Sequence, residues 1–211
     1  MRTPTIKTAR PARVLLADPP WAFGDSLPGK SRGAVRNYEV LTVQDIMRFP
    51  LPEFEPDALL LLWRVSSMVE EAYQVVRAWN FVPKAEIIWA KRTKDDKPWF
   101  GMGRYVRASH ETCIVATRGR FKVAAKNVRS GFAAKVPVGP DGKYLHSAKP
   151  PEFYPIIEQL SPGPYVELFA RAERPGWESF GHALMEVPRC PRRGAGASGW
   201  PPFGRPTRPS P

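Results

Sequence analysis

The sequence predicts a doubly wound α/β domain with a mainly parallel sheet, and three observations predict it. Apolar runs of strand length alternate with amphipathic helical patterns. The runs are nearly all apolar instead of alternating with polar residues, as in strands covered on both faces of a parallel sheet. The chain has 211 residues, the size of one ordinary α/β domain, which needs neither disulfides nor a structural metal to be stable.

In chain order, residues 1–13 are basic, contain Pro4 and Pro11, and read as a loose arm. The first strand spans 14–17. A short helix starts after Thr42, and the run ALLLLW opens a second strand over 58–65. Ser67 and Glu70 have capping-box spacing for a helix whose inner face carries Met68, Ala72, Val75, Val76 and Trp79, closed by Asn80. Strands follow at 86–90 and 112–116. Between 99 and 149, glycines and basic residues break any periodicity around the single strand, so long functional loops are expected. Pro151 suits the first turn of a helix that turns Phe153, Ile156, Ile157 and Leu160 inward and stops at Ser161-Pro162-Gly163. The last strand is 165–170. The domain is therefore expected over 14–185, followed by a disordered tail over 186–211 rich in Pro, Gly and Arg.

The charge narrows the partners. With 32 basic and 20 acidic side chains the net charge is +12, which suits a polyanion because phosphate contacts release counterions. Arg189, Arg192, Arg193, Arg205 and Arg208 in the tail would add salt-sensitive affinity. Cys113 and Cys190 make neither a metal-ligand cluster nor a disulfide framework, so a reducing, cytoplasmic compartment and no metal are expected. No apolar run approaches the roughly 20 residues of a bilayer span, and no signal-peptide core precedes the first strand.

Asp18-Pro19-Pro20-Trp21 follows directly on the first strand, at a carboxyl end where open α/β sheets bind ligands. Consecutive prolines hold the backbone rigid and remove two donors. The Asp18 carboxylate and a neighbouring carbonyl can accept both hydrogens of one NH2 group, and Trp21 offers a flat face to a planar base. An exocyclic aromatic amine is a poor nucleophile because its lone pair is delocalised. Two acceptors on its hydrogens would favour a tetrahedral nitrogen able to attack an activated methyl group in line. The plainer reading is a strand-end turn with a buried Trp.

Further segments carry a resemblance: ADPPW at 17–21, NYEVLTVQDI at 37–46, LLLLWRVSS at 59–67, AEIIWAKR at 85–92, RASHETCIVATRG at 107–119, HSAKPPEFYPIIEQLSPG at 146–163 and VELFARAERPGWESFGHAL at 166–184. In this order they resemble the MTA-seventy family of adenine N6-methyltransferases. That resemblance implies a Rossmann-like sheet of the class I methyltransferase type in permuted motif order, with the catalytic segment before the cofactor segment. It implies S-adenosylmethionine as cofactor and N6 of adenine in a nucleic acid as target. DNA is the first choice of polymer, by analogy with short bacterial and phage members; RNA is the alternative. A base within a duplex would have to be flipped out.

The resemblance also assigns roles. Asp18 would meet the target amine and the cofactor's amino group, Pro19 would lend its carbonyl, and Pro20 and Trp21 would shape the base pocket. Lys149 would hold the cofactor's carboxylate, a task that suits a compact cation. Glu167, Phe169 and Arg171 would line the adenosine and ribose side, with His182 on a ribose hydroxyl. Asn37 and Tyr38 would belong to a loop closing over the target base. For each the plainer reading stands beside it: a surface lysine, a core phenylalanine, an incidental ion pair, a half-buried tyrosine.

Two features depart from the family. The family's eukaryotic members have a longer stretch before the tetrapeptide that supplies an acid near the cofactor adenine, and no equivalent strand is expected ahead of Asp18 here; Gly181-His182-Ala183 stands where Gly-Asn is usual. His110 and Glu111 are expected to orient a loop or strand. A non-catalytic, nucleic-acid-presenting subunit would be expected to lose Asp18 or Trp21, and cytosine N4-methylation to replace Asp18 with Ser. Oligomerisation, with itself or another subunit, stays open.

Overall fold

The computed structural model describes residues 5–22, 40–103, 105–145 and 147–181. They form one seven-stranded sheet. The elements are β1 (Ala12–Ala17), α1 (Val43–Met47), β2 (Phe54–Arg64), α2 (Val69–Ala78), β3 (Val82–Arg92), β4 (His110–Arg118), β5 (Gly131–Lys135), α3 (Phe153–Leu160), β6 (Tyr165–Leu168) and β7 (Trp177–Phe180). The strand order is β5-β3-β4-β2-β1-β6-β7. All pairs are parallel except those of β4, which runs antiparallel to β2 and β3. The Rossmann-like, mainly parallel sheet read from the sequence is the one observed.

The continuous apolar run of β2 is explained by burial on both sides. Leu60 and Leu62 face one core with Ile46, Ala72, Val75 and Val76 of α1 and α2. Leu59, Leu61 and Trp63 face the other, with Phe153, Ile157 and Leu160 of α3. At roughly 25 cal/mol per Å² of apolar surface, such a doubly covered strand is where burial stabilises the fold most.

Several expectations are corrected. Residues 5–11, the described part of the stretch before β1, are not loose: Ile6 is buried and pairs with Pro52, Ala12 already belongs to β1, and the Ala9 N–H donates to the Glu178 carboxylate at 3.0 Å. Burial of one isoleucine and the hydrogen bonds of the Ile6, Ala9 and Ala12 N–H groups outweigh Pro11. The capping box at Ser67 does not form; α2 begins at Val69 with Met68 at the cap position and no side-chain cap. Capping instead occurs at Thr42, whose hydroxyl accepts from the Asp45 N–H at 3.1 Å. Asn80 does close α2, with φ +60. Within the stretch read as loops around one strand, β5 pairs with β3, and β7 adds an edge beyond β6. β6 ends at Leu168, not 170, because Phe169 turns to φ +63.

The topology makes a crevice. From β1 the chain passes to β2 and outward on one side; β6 and β7 lie on the other. Between β1 and β6 the winding direction reverses, the place where open α/β sheets hold ligands beyond their strand ends.

Candidate active site

The register sets the site before any side chain is considered. Ala17, the last residue of β1, pairs with Leu62 of β2 and Leu168 of β6. Their successors, Asp18, Trp63 and Phe169, are thereby delivered to one end of the sheet.

There a cavity is lined by Asp18, Lys149, Glu167, Phe169 and Arg171, five residues singled out in the sequence. The Lys149 ammonium lies 2.7 Å from Asp18 Oδ2 and 3.3 Å from Glu111 Oε2. Glu111 also accepts from Lys91, so cations and carboxylates alternate along a chain of four. Burial pushes the Asp18 carboxyl up from its ordinary value, with Lys149 opposing. Burial acts to lower Lys149, but the Asp18 and Glu111 carboxylates overcome it and hold the ammonium protonated. For Glu111 burial is overcome by Lys149 and Lys91, and its pKa falls. Glu111, read from sequence as orienting a loop or strand, instead pairs with Lys91 and Lys149 at the site.

Glu167 is almost fully buried, and both its carboxylate oxygens accept from the Tyr154 hydroxyl at 3.1 Å. Burial raises its pKa to about 7; the Tyr154 hydrogen bond opposes this and the Asp18 charge adds to it. Burial and the Glu167 charge in turn raise the Tyr154 phenol. Arg174 stacks its guanidinium over the Tyr154 ring at 3.5 Å. Tyr154 and Arg174 were not legible as site residues, because the first reads as a helix surface position and the second lies in a polar turn.

Strain marks the same rim. Phe169 holds φ +63 and Ser147 φ +61, conformations that cost side-chain-bearing residues energy and persist where packing enforces them. For Phe169 the packing is Phe49, 4.5 Å away between ring centroids. Gly181 follows β7 so tightly that a Cβ would collide with the Ala170 carbonyl.

The tetrapeptide is folded differently from the simplest expectation. The Trp21 N–H donates to the Pro19 carbonyl at 2.9 Å, and Leu41 N–H donates to the Pro20 carbonyl at 2.8 Å. Trp21 is 3% exposed and its indole N–H donates to the Trp63 carbonyl at 3.0 Å. The flat face expected for a base is thus covered in this structure, because a ring bonded at its only donor packs better in the core than at a rim. Asn37, Tyr38 and His182 lie outside the described residues.

The donor set fits the amino-acid part of a sulfonium cofactor. Among the described residues, the buried nitrogens Trp63 Nε1 and Arg174 Nε have no hydrogen-bond partner, and both residues line the cavity. With the Lys149 ammonium they are donors suited to a carboxylate; Asp18 and Glu167 are acceptors suited to an ammonium or hydroxyls.

Comparison with known proteins agrees. The MT-A70 family matches residues 12–183. The chain is 30% identical over 182 residues to the human N(6)-adenosine-methyltransferase catalytic subunit METTL3, covering 81% of this chain and 28% of that protein. It is 28% identical over 198 residues to the mouse N(6)-adenine-specific methyltransferase METTL4, covering 87% of this chain and 40% of that protein. A Drosophila melanogaster MT-A70-like N(6)-adenosine-methyltransferase is 29% identical over 182 residues, covering 81% of this chain and 26% of that protein. The chain spans between about a quarter and two-fifths of the length of these relatives. Family pattern, strand order and the Asp18 crevice agree: the chain belongs to the MT-A70 family.

Proposed function

We propose that this domain transfers a methyl group from S-adenosylmethionine to N6 of adenine in a nucleic acid. The observation that carries this is the half-buried Asp18–Lys149 pair at the reversal point of the sheet, 2.7 Å apart. The names of the relatives, adenosine and adenine N6-methyltransferases, support the same amine as target.

Lys149, with the unpaired donors of Trp63 and Arg174, would hold the cofactor's carboxylate, and Asp18 its amino group. Glu167, Phe169 and Arg171 would line its nucleoside side. The bound cofactor supplies an electrophilic methyl group on a sulfonium. Asp18 accepts one hydrogen of the target amine. Pro19 accepts the other through its second lone pair, the first being taken by the Trp21 N–H. The Pro20 carbonyl, already bonded to Leu41, serves to fix the turn. Both acceptors pull the nitrogen toward a tetrahedral, nucleophilic geometry, and Asp18, its pKa raised by burial, is suited to take the proton released. Asn37 and Tyr38 would close over the base and His182 would meet a ribose hydroxyl.

DNA is placed first as the polymer, with RNA competing. The test is transfer of labelled methyl by the purified protein to duplex DNA, single-stranded DNA and RNA of one sequence, followed by nucleoside analysis. N6-methyladenine in one pool supports the reading and names the polymer. Cofactor binding without product in any pool would overturn independent catalysis by this chain.

A further inference from the structure

A second cleft lies at the same end of the sheet, three strands from β1. It encloses about 350 Å³ between the ends of β3 and β4, with Arg92, Trp99, Ser109 and His110 among its walls. None of the residues lining it is acidic. Its floor includes Ile88, 41% exposed although it sits in mid-strand. Trp99 is held edge-on by Tyr144, with centroids 4.8 Å apart.

Trp99 and Ser109 are also the feet of a hairpin. The Trp99 N–H donates to the Lys91 carbonyl at 3.1 Å, the Lys91 N–H to the Ser109 carbonyl at 3.0 Å and the Gly101 N–H to the Ala108 carbonyl at 3.0 Å. At its tip a Cβ on Gly103 would strike the Val106 carbonyl, so the turn admits glycine alone there. Beside it Met102 is 89% exposed, Tyr105 88% and Val106 79%. Arg107 lies over the Phe100 ring at 5.1 Å. Isolated exposed apolar residues need no explanation, but a contiguous projecting set does.

We propose that the cleft and its hairpin form a second nucleotide-binding site, gripping the strand a few nucleotides from the target base. The proposal rests on the nucleic-acid reading above and names how that polymer is held. The occupant follows from chemistry. An indole wall takes a base face, Arg92, Lys94, Lys97 and Arg107 outnumber Asp95 and Asp96 and suit phosphates, and the exposed Met102, Tyr105 and Val106 suit wedging between base steps. Three strand spacings put the cleft ~14 Å from β1, about four base steps of duplex.

Two variants of the full chain test this: Arg92→Glu, and Met102→Ser, Tyr105→Ser and Val106→Ser combined. All are surface changes outside the Asp18 cavity. The probes are labelled DNA and RNA oligonucleotides of about fifteen nucleotides, with S-adenosylhomocysteine binding and the urea unfolding midpoint as controls. Expected is roughly tenfold weaker binding of the preferred oligonucleotide by each variant, a salt slope reduced by about one for Arg92→Glu, and unchanged controls. Unchanged oligonucleotide affinity overturns the proposal. Unchanged affinity with a lower oligomeric mass overturns it in favour of a protein interface. Methyl transfer by the unaltered chain is read separately: activity with unaffected variants sinks the second site alone, whereas weakened variant binding without activity sinks the proposed reaction alone.

Discussion

The Trp21 indole N–H donates to the main-chain carbonyl of Trp63 at 3.0 Å, tying the tetrapeptide after β1 to the end of β2. The bond is buried and spans 42 residues of sequence. Trp21→Phe keeps an aromatic face but leaves the Trp63 carbonyl without this donor. A stability loss of about 1–3 kcal/mol is expected, with KM for the nucleic acid changed less than the unfolding midpoint. A KM effect without a stability effect would restore Trp21 as a base-stacking surface; denaturant melts and steady-state kinetics decide.

Asp18→Asn preserves shape but presents an amide to Lys149 and weakens the acceptor for the target amine. Methyl transfer should fall by roughly 10²–10³-fold, read in single-turnover assays, while the far-ultraviolet spectrum stays that of the unaltered chain. A variant retaining most of its rate would remove Asp18 from the chemistry.

Lys149→Met leaves the half-buried Asp18 carboxylate without its cation. A loss of about 3–5 kcal/mol in urea unfolding is expected, together with loss of cofactor binding. Adding Asp18→Asn to it should recover part of the stability and none of the binding, since one change concerns a desolvated charge and the other a ligand contact.

Glu167 titrates near 7 in the folded chain against 4.5 for an ordinary carboxyl. A raised folded pKa means that the folded state holds the proton more tightly. The associated stability is therefore complete below about pH 4.5 and lost as the pH climbs to about 7, a difference of ~3 kcal/mol. Urea midpoints of the unaltered chain should fall across that window relative to Glu167→Gln, which carries no titrating group. Parallel profiles for the two would place the perturbed titration elsewhere.

What the sequence made legible follows from which signals are local. β2 and α2 were readable because six consecutive buried residues from Ala58 to Trp63 and a helical stripe from Ala72 to Trp79 leave no other pattern. β7 was not, because Trp177, Glu178, Ser179 and Phe180 form an edge strand of four residues whose partner alone makes it a strand. Ser67 misled because a cap depends on where the helix axis starts, and the packing of Met68 against the core sets that one residue later. In the site, Asp18 and Lys149 stood out through their motifs. Tyr154 and Arg174 are revealed only by Glu167, which faces the phenol across 13 residues of chain.

β1 is flanked by β2 on one side and by β6 on the other, and β6 lies about 150 residues later in the chain. During synthesis on a ribosome, β1 and β2 can meet early, but the Val14–Ala17 edge must wait for nearly the whole domain to emerge. That edge is apolar and unpaired in the interval, so it is the segment a chaperone would have most reason to shield and a truncated product would aggregate through. The crevice shares this timing: a chain stopped before Tyr165 carries the Asp18 segment and Lys149 yet lacks the wall on which Glu167 stands. The crevice should therefore close only with completion of the sheet, so that half-made copies cannot hold a ligand between β1 and β6.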